Sequence, residues 1–473
     1  MSTTGLSQAS LHTVAAGRRP TVRPSACPIL HLGPGPFHRA HQAAYTNDVI
    51  ASGHREWGIT AASSRSDATV DALERQDGLF TVATRSSTDA FEDIRIFGSI
   101  GAWRRRDELV DAIASDEFRL VTMTVTEAAY RPPRENTPDR NDLIMSIVNG
   151  LLDRWRRGGA PIGFLSCDNL VSNGDRLRRV VEEVAGRADA AQGFSRWMEA
   201  NVSFASSVVD RIVPAPQPAE RSQVAAALGV VDELAVVTEP FRMWVFEDHF
   251  AAGRPPWETA GAIPVSDTEP YEHLKLRVLN AAHSLTAYLG ILTGHRLVSE
   301  AIGDPRIEAA VTAMQEREAI PTLGPLGSVE PAAYARVTRE RFGNPTVPYT
   351  VAQVASGGSV KIPERVLPMV ADLRAAGRLP HYSGLTLAAW IRSLELAAAT
   401  STPIDDPIAS ALLSQCRGQE ASKLVASILS VLDGESAEIV GEDQEFVDLV
   451  ADQLDLIRGG QADPLMYGQD GHE

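Results

Sequence analysis

Short apolar runs alternate with helix-length amphipathic stretches through the first half of the chain. Runs at 29–32, 57–62, 79–84, 94–97, 120–125 and 162–166 have the length and residue types of strands, and periodic segments such as 40–50 and 66–75 lie between them. Strand, glycine turn, helix, strand is the order of a doubly wound parallel sheet. Further runs at 202–209, 234–237 and 244–246 carry this region to about residue 250. After residue 262 the apolar period lengthens, and 272–293, 305–318, 364–376, 384–400, 406–416, 419–433 and 443–458 read as helices. The pattern predicts an α/β domain over 26–262 and an all-α domain over 263–473, with the change near 255–268. Residues 1–25, rich in Ser, Thr, Ala and Pro, are expected to form a flexible tail.

One helical stretch breaks the amphipathic rule. Residues 271–284, YEHLKLRVLNAAHS, hold Glu272, Lys275, Asn280 and His283. At about 100° per residue, with Lys275 at 0°, Glu272 falls at about 60°, His283 at about 80° and Asn280 at about 140°. Leu274, Val278, Ala281 and Leu285 line the opposite side, yet Leu276 and Leu279 fall among the polar groups. A helix with apolar residues on both sides and proton-transfer groups on one fits an active-site wall. A surface helix with a Glu272–Lys275 pair is the plainer reading.

Composition narrows the classes. A net charge of −17 argues against nucleic-acid binding. No apolar run is long enough to span a bilayer. Cys27, Cys167 and Cys416 are far apart and odd in number, which fits a reducing cytoplasm and no structural zinc. A monomer is expected, since no interface stripe stands out.

The first strand runs into Gly33-Pro34-Gly35-Pro36-Phe37-His38 and then a helix. Glycine there lets a backbone approach a phosphate, and a helix start favours the anion. His38 stands where a third glycine would complete GxGxxG. No acid follows the second strand to meet ribose hydroxyls; Arg65 stands there instead and could meet a 2′-phosphate, so NAD and NADP both remain open.

Two segments resemble the mannitol dehydrogenase family of polyol-specific long-chain dehydrogenases. HLGPGPFHRAHQAAY (31–45) is similar to its G-x-G-x-F-x-R-A-H signature, and KLRVLNAAHS (275–284) to its K-x4-N-x2-H signature. TVTEAAY, SCDNLVSNG, VVDRIVP, EPFRMWVFEDHF, RFGNP and AAWIR follow the family in order, over about residues 28–410. Ala128, Ala129, Tyr349 and Gln353 depart from it. The resemblance implies a Rossmann-type domain, a helical domain, and hydride transfer, without a metal, between NAD(H) and a polyol or ketose such as mannitol/fructose or arabinitol. A fructuronate or tagaturonate reductase is the alternative, and a nucleotide-binding protein without turnover a third.

The chemistry assigns roles. Oxidising a secondary alcohol needs a base and donors for the oxyanion. Lys275 is the expected base and Asn280 a donor. The resemblance supplies Asn169 as second donor (Asn173 being the other choice) and Glu272 on the proton's exit path, while His283 is the expected positioner and Arg392 a candidate contact for a substrate hydroxyl or carboxylate. It also places the cofactor on Gly33, Gly35, Phe37, Arg65, Thr126 and Glu127. Tyr271-x3-Lys275 matches the spacing of short-chain dehydrogenases, but no TGxxxGxG turn accompanies it.

Overall fold

The computed structural model describes residues 4–86, 88, 90–130, 143–187, 192–215, 217–416 and 418–459. They divide into two compact units, Met1–Glu269 and Pro270–Glu473.

The first unit is built on β1 (Ile29–Leu32), β2 (Ile59–Ala62), β5 (Ile100–Arg104), β6 (Leu120–Met123), β7 (Ile162–Ser166) and β8 (Val202–Ala205). Their order is β5-β2-β1-β6-β7-β8, and every pairing is parallel. The chain builds outward from β1 to one side, then returns to start the other half beside it. That reversal at β1/β6 is where doubly wound sheets bind ligands, off the carboxyl ends of the strands. β1, β2, β6 and β7 are buried along their whole length, because helices cover both faces.

Two small sheets complete the unit: β3 (Phe80–Thr84) between β4 (Asp93–Phe97) and β10 (Val236–Thr238), and β11 (Met243–Glu247) between β9 (Ser207–Asp210) and β12 (Ile263–Val265). β5 and β12 escaped the hydropathy pattern. β5, IGAWR, is only partly buried, so its alternation is weak. β12 pairs with β11, which keeps residues 263–269 with the first unit and moves the division past the expected 262/263.

The expected N-terminal tail is not a tail over its described residues. Gly5 bridges to Val231, and the Leu6 N–H donates to the Val231 carbonyl at 2.7 Å. Leu6, Leu11 and Val14 are buried with Leu79, Ile94, Ile96 and Val237. Three apolar residues among many small polar ones were too sparse a signal for this cover over the β10-β3-β4 sheet.

The second unit is helical among the described residues, apart from a bridge between Leu297 and Thr350. Helices Val298–Ile302, Pro331–Phe342, Val351–Ala355 and Glu435–Glu442 add to those the pattern predicts. No described helix is long and apolar enough to cross a membrane.

Candidate active site

At the end of β1 the two glycines do different work. Gly33 has φ +85°, and a Cβ on it would lie 2.4 Å from the Thr124 carbonyl oxygen. Its N–H donates to the Ala62 carbonyl at 3.0 Å, and its own carbonyl accepts from Thr124 Oγ1 at 2.7 Å. Gly33 is thus demanded by the neighbouring strands. Gly35, at the start of the helix Pro36–Ala40, has open space: the nearest atom to a Cβ there is 3.9 Å away.

His38, in place of the third glycine, is buried and stacks flat on His31 of β1, with ring centroids 3.4 Å apart. A flat ring takes up the helix–strand gap that a third glycine would otherwise close. Phe37 stacks on His41, where the helix breaks before resuming as Gln42–Ala51. Burial pushes the His31 and His41 imidazoles down to about 3, and His38 well below its ordinary value.

Next to this turn, Arg65 donates to Thr126 Oγ1 at 3.0 Å. Thr126 has φ +79°, a costly conformation for a β-branched residue. Asp168 holds it there: Oδ1 accepts the Val125 and Thr126 N–H groups at 2.8 and 3.1 Å, and Oδ2 accepts the Tyr130 hydroxyl at 2.6 Å. Burial raises the Asp168 carboxyl, and burial beside that acid raises the Tyr130 phenol. Asn173 donates to the Asp168 and Ser207 carbonyls and accepts from the Ser207 N–H, so its amide is spent on structure. Asn169, exposed, follows this fixed corner. The side chain of Glu127 lies outside the described residues.

In the second unit the stretch around Lys275 is not a plain α-helix. Glu269–His273 is α-helical, Leu274–Ala281 is π-helical, and Ala282–Leu292 is α-helical again. π-Helical turns are rare and recur at functional sites. With i→i+5 hydrogen bonding, residues five apart stand one above the other, as i and i+4 do in an α-helix. Lys275 and Asn280 are five apart, so the wide angle expected between them closes. Lys275, Leu276, Asn280 and His283 are half-buried, while Glu272 and the residues from Arg277 to Leu279 are buried. The π turn is held from outside: Gln315 Nε2 donates to the Val278 carbonyl at 2.8 Å, and Arg365 Nη1 reaches the Asn280 carbonyl at 3.5 Å. The Tyr271 hydroxyl donates to the Leu326 carbonyl at 2.9 Å, a buried structural bond.

His283 stacks on Phe342 of the RFGNP segment, with centroids 4.6 Å apart. Burial and the cations of Arg365, Lys361 and Arg341 push its imidazole down to about 3. It is therefore neutral at physiological pH, able to donate from one nitrogen and accept at the other. Its ring nitrogens and the Asn280 amide take no hydrogen bond from described residues.

The comparisons with known proteins agree along the chain. The mannitol dehydrogenase Rossmann domain matches residues 27–259, and the mannitol dehydrogenase C-terminal domain matches residues 267–457. The chain belongs to the mannitol dehydrogenase family. D-mannonate oxidoreductase of Escherichia coli (strain K12) is 34% identical over 411 residues, covering 80% of this chain and 84% of that protein. D-arabinitol 4-dehydrogenase of Ralstonia nicotianae is 38% identical over 389 residues, covering 78% and 83%. Pseudomonas fluorescens mannitol 2-dehydrogenase, solved as a ternary complex with NAD and D-mannitol, superposes with a TM-score of 0.81 at 30% identity, over 99% of this chain and all of that one.

Within this family frame, the first signature segment lies on the β1 turn and the second starts in the π-helical segment. Arg65 and Thr126 are hydrogen-bonded to each other in the first unit, and Lys275, Asn280 and His283 lie along one π-to-α helical stretch in the second. Arg392, expected as a substrate contact, is paired with Glu395 at 3.0 Å, in a ladder that continues to Arg458. The cations that bear on His283 are Arg365, Lys361 and Arg341, and the first two went unread. Their signal was faint: two like charges four apart beside Pro363, where a helix was expected to start only at 364. Gln353, one of the departures, caps the helix Val351–Ala355 with Thr350.

Proposed function

We propose that this family member moves a hydride between NAD(H) and the secondary alcohol or ketone of a polyhydroxylated chain, as in mannitol/fructose, arabinitol or a hexuronate. The π-helical alignment of Lys275 with Asn280, beside a neutral His283, is the observation that carries this reading. The first unit's surface fits a dinucleotide. Gly35 leaves room for close approach, and Arg65 and Thr126 follow β2 and β6, the strands on either side of β1. Gly33, Gly35, Phe37, Arg65, Thr126 and Glu127 are the residues that would hold it. When bound, NAD(H) supplies or accepts the hydride.

The chain's own groups do the rest. Lys275 takes the hydroxyl proton in oxidation and returns it in reduction, a role in which positioned groups contribute about 10²–10⁴-fold. Asn280 donates to the developing oxyanion, and Asn169 is the proposed second donor. His283 fixes a neighbouring hydroxyl, and Glu272 passes the Lys275 proton toward water. The three cysteines are free, and we read the protein as a cytoplasmic monomer.

A panel of ketoses and keto acids with NADH and NADPH, followed at the nicotinamide absorbance band, tests this reading. Turnover with at least one member is expected. Dinucleotide binding without turnover on any member would overturn it.

A further inference from the structure

Beside His283 stands a guanidinium, that of Arg365, that no ion pair among the described residues balances. Arg365 ends the helix Gly358–Arg365 and is half-buried. Its guanidinium reaches only Ser284 Oγ at 3.4 Å and the Asn280 carbonyl at 3.5 Å, both at the long limit of a hydrogen bond. It forms no ion pair among the described residues. Lys361, one turn earlier, is also half-buried and donates one ammonium N–H to the Val354 carbonyl at 3.0 Å. Like charges at this spacing repel each other.

The nearby acids do not cancel them. Asp405 and Asp406 lie toward Lys361, and Glu364 toward Arg365. Asp406 is occupied by the Ser359 N–H and hydroxyl and the Ile408 N–H, and Glu364 is exposed. Tyr288 also faces Arg365, and burial keeps its phenol neutral. A half-buried guanidinium with five donors and two weak bonds is set to receive a planar anion, two oxygens on one fork.

Resting on the reading of this wall as the substrate site, we propose that Arg365 is a specificity-determining residue that receives a carboxylate end of the substrate, so that a sugar acid is preferred over the neutral compound of equal length. The planar Arg365 guanidinium offers a fork that matches the two oxygens of one carboxylate. A phosphate ester offers the same oxyanion chemistry, and the assay separates the two.

The test compares kcat/KM for D-fructose, D-fructuronate and D-fructose 6-phosphate in the wild type, in Arg365→Leu and in Arg365→Lys. Preference for the uronate over fructose by about 10- to 100-fold is expected, the range of charged hydrogen bonds. Arg365→Leu should collapse that ratio toward one, and Arg365→Lys should restore part of it. A wild type that prefers fructose or the phosphate ester, or a ratio unchanged in Arg365→Leu, would overturn the proposal. If no compound oxidises NADH, the hydride-transfer reading fails by itself. Calorimetry with D-gluconate and D-sorbitol on the wild type then decides the present one: gluconate bound at least tenfold more tightly supports the carboxylate contact, and equal or no binding refutes it.

Discussion

The Gln315 side-chain amide donates to the Val278 carbonyl at 2.8 Å, capturing a backbone oxygen in the middle of the turn that carries Lys275 and Asn280. Gln315 is fully buried and opens a second π-helical segment, Gln315–Ala319, and Arg339 donates to its Oε1 at 2.5 Å. Two departures from α-helix thus meet through one side chain.

Gln315→Leu should leave that carbonyl without its partner. Orphaning a buried polar group costs about 1–3 kcal/mol. We expect a lower unfolding midpoint and, because the turn sets the spacing of Lys275 and Asn280, a fall in kcat at saturating substrate. Circular dichroism melting and steady-state kinetics check both. A melting change with kcat intact would separate the bond from the chemistry.

Gly33→Ala and Gly35→Ala should behave oppositely. A Cβ at Gly33 would sit 2.4 Å from the Thr124 carbonyl oxygen at φ +85°, so that variant should fold poorly or melt several degrees lower. At Gly35 the nearest atom is 3.9 Å away, so that variant should melt like the wild type yet bind NADH at least tenfold more weakly. Thermal melts paired with NADH fluorescence titrations distinguish the two.

Much of this was legible in the chain, and the rest failed for physical reasons. The parallel-sheet grammar and the two signature segments follow from local runs such as 29–32 and 162–166, where burial on both faces makes strands continuously apolar. The π turn left no mark, because the choice of i→i+5 over i→i+4 depends on partners, Gln315 and Arg365, that arrive from distant segments. The ion pairs of Arg392 with Glu395 and of Glu395 with Arg458, 63 residues away, likewise had no local signal. Tyr130 and Asp168 are 38 residues apart, and their bond across strand ends has no periodic signature.

Buried histidines give the first unit an acid limit. His31 and His41 are held down at about 3 from an ordinary 6.5, and His38 is also lowered. These bases are neutral when folded, whereas the unfolded chain takes up their protons below 6.5. Their contribution is complete above that pH and shrinks as pH falls from 6.5 toward 3, by up to about 1.4 kcal/mol per pH unit for each histidine. The urea midpoint of the protein should therefore drop between pH 7 and pH 5, with proton uptake on unfolding at pH 5.5. A midpoint flat across that range would contradict the assignment.

Lys275, in its π-helical turn, is the proposed base, and Tyr271 is structural through its bond to the Leu326 carbonyl. The most direct measurement is kcat for NADH formation or consumption by Lys275→Ala and Tyr271→Phe, with NADH affinity measured alongside. Lys275→Ala should lose about 10²–10⁴-fold in kcat with NADH binding preserved. Tyr271→Phe should stay within a few-fold of wild type while losing about 1 kcal/mol of stability. Near-normal turnover in Lys275→Ala, or a loss of several orders of magnitude in Tyr271→Phe, would contradict it.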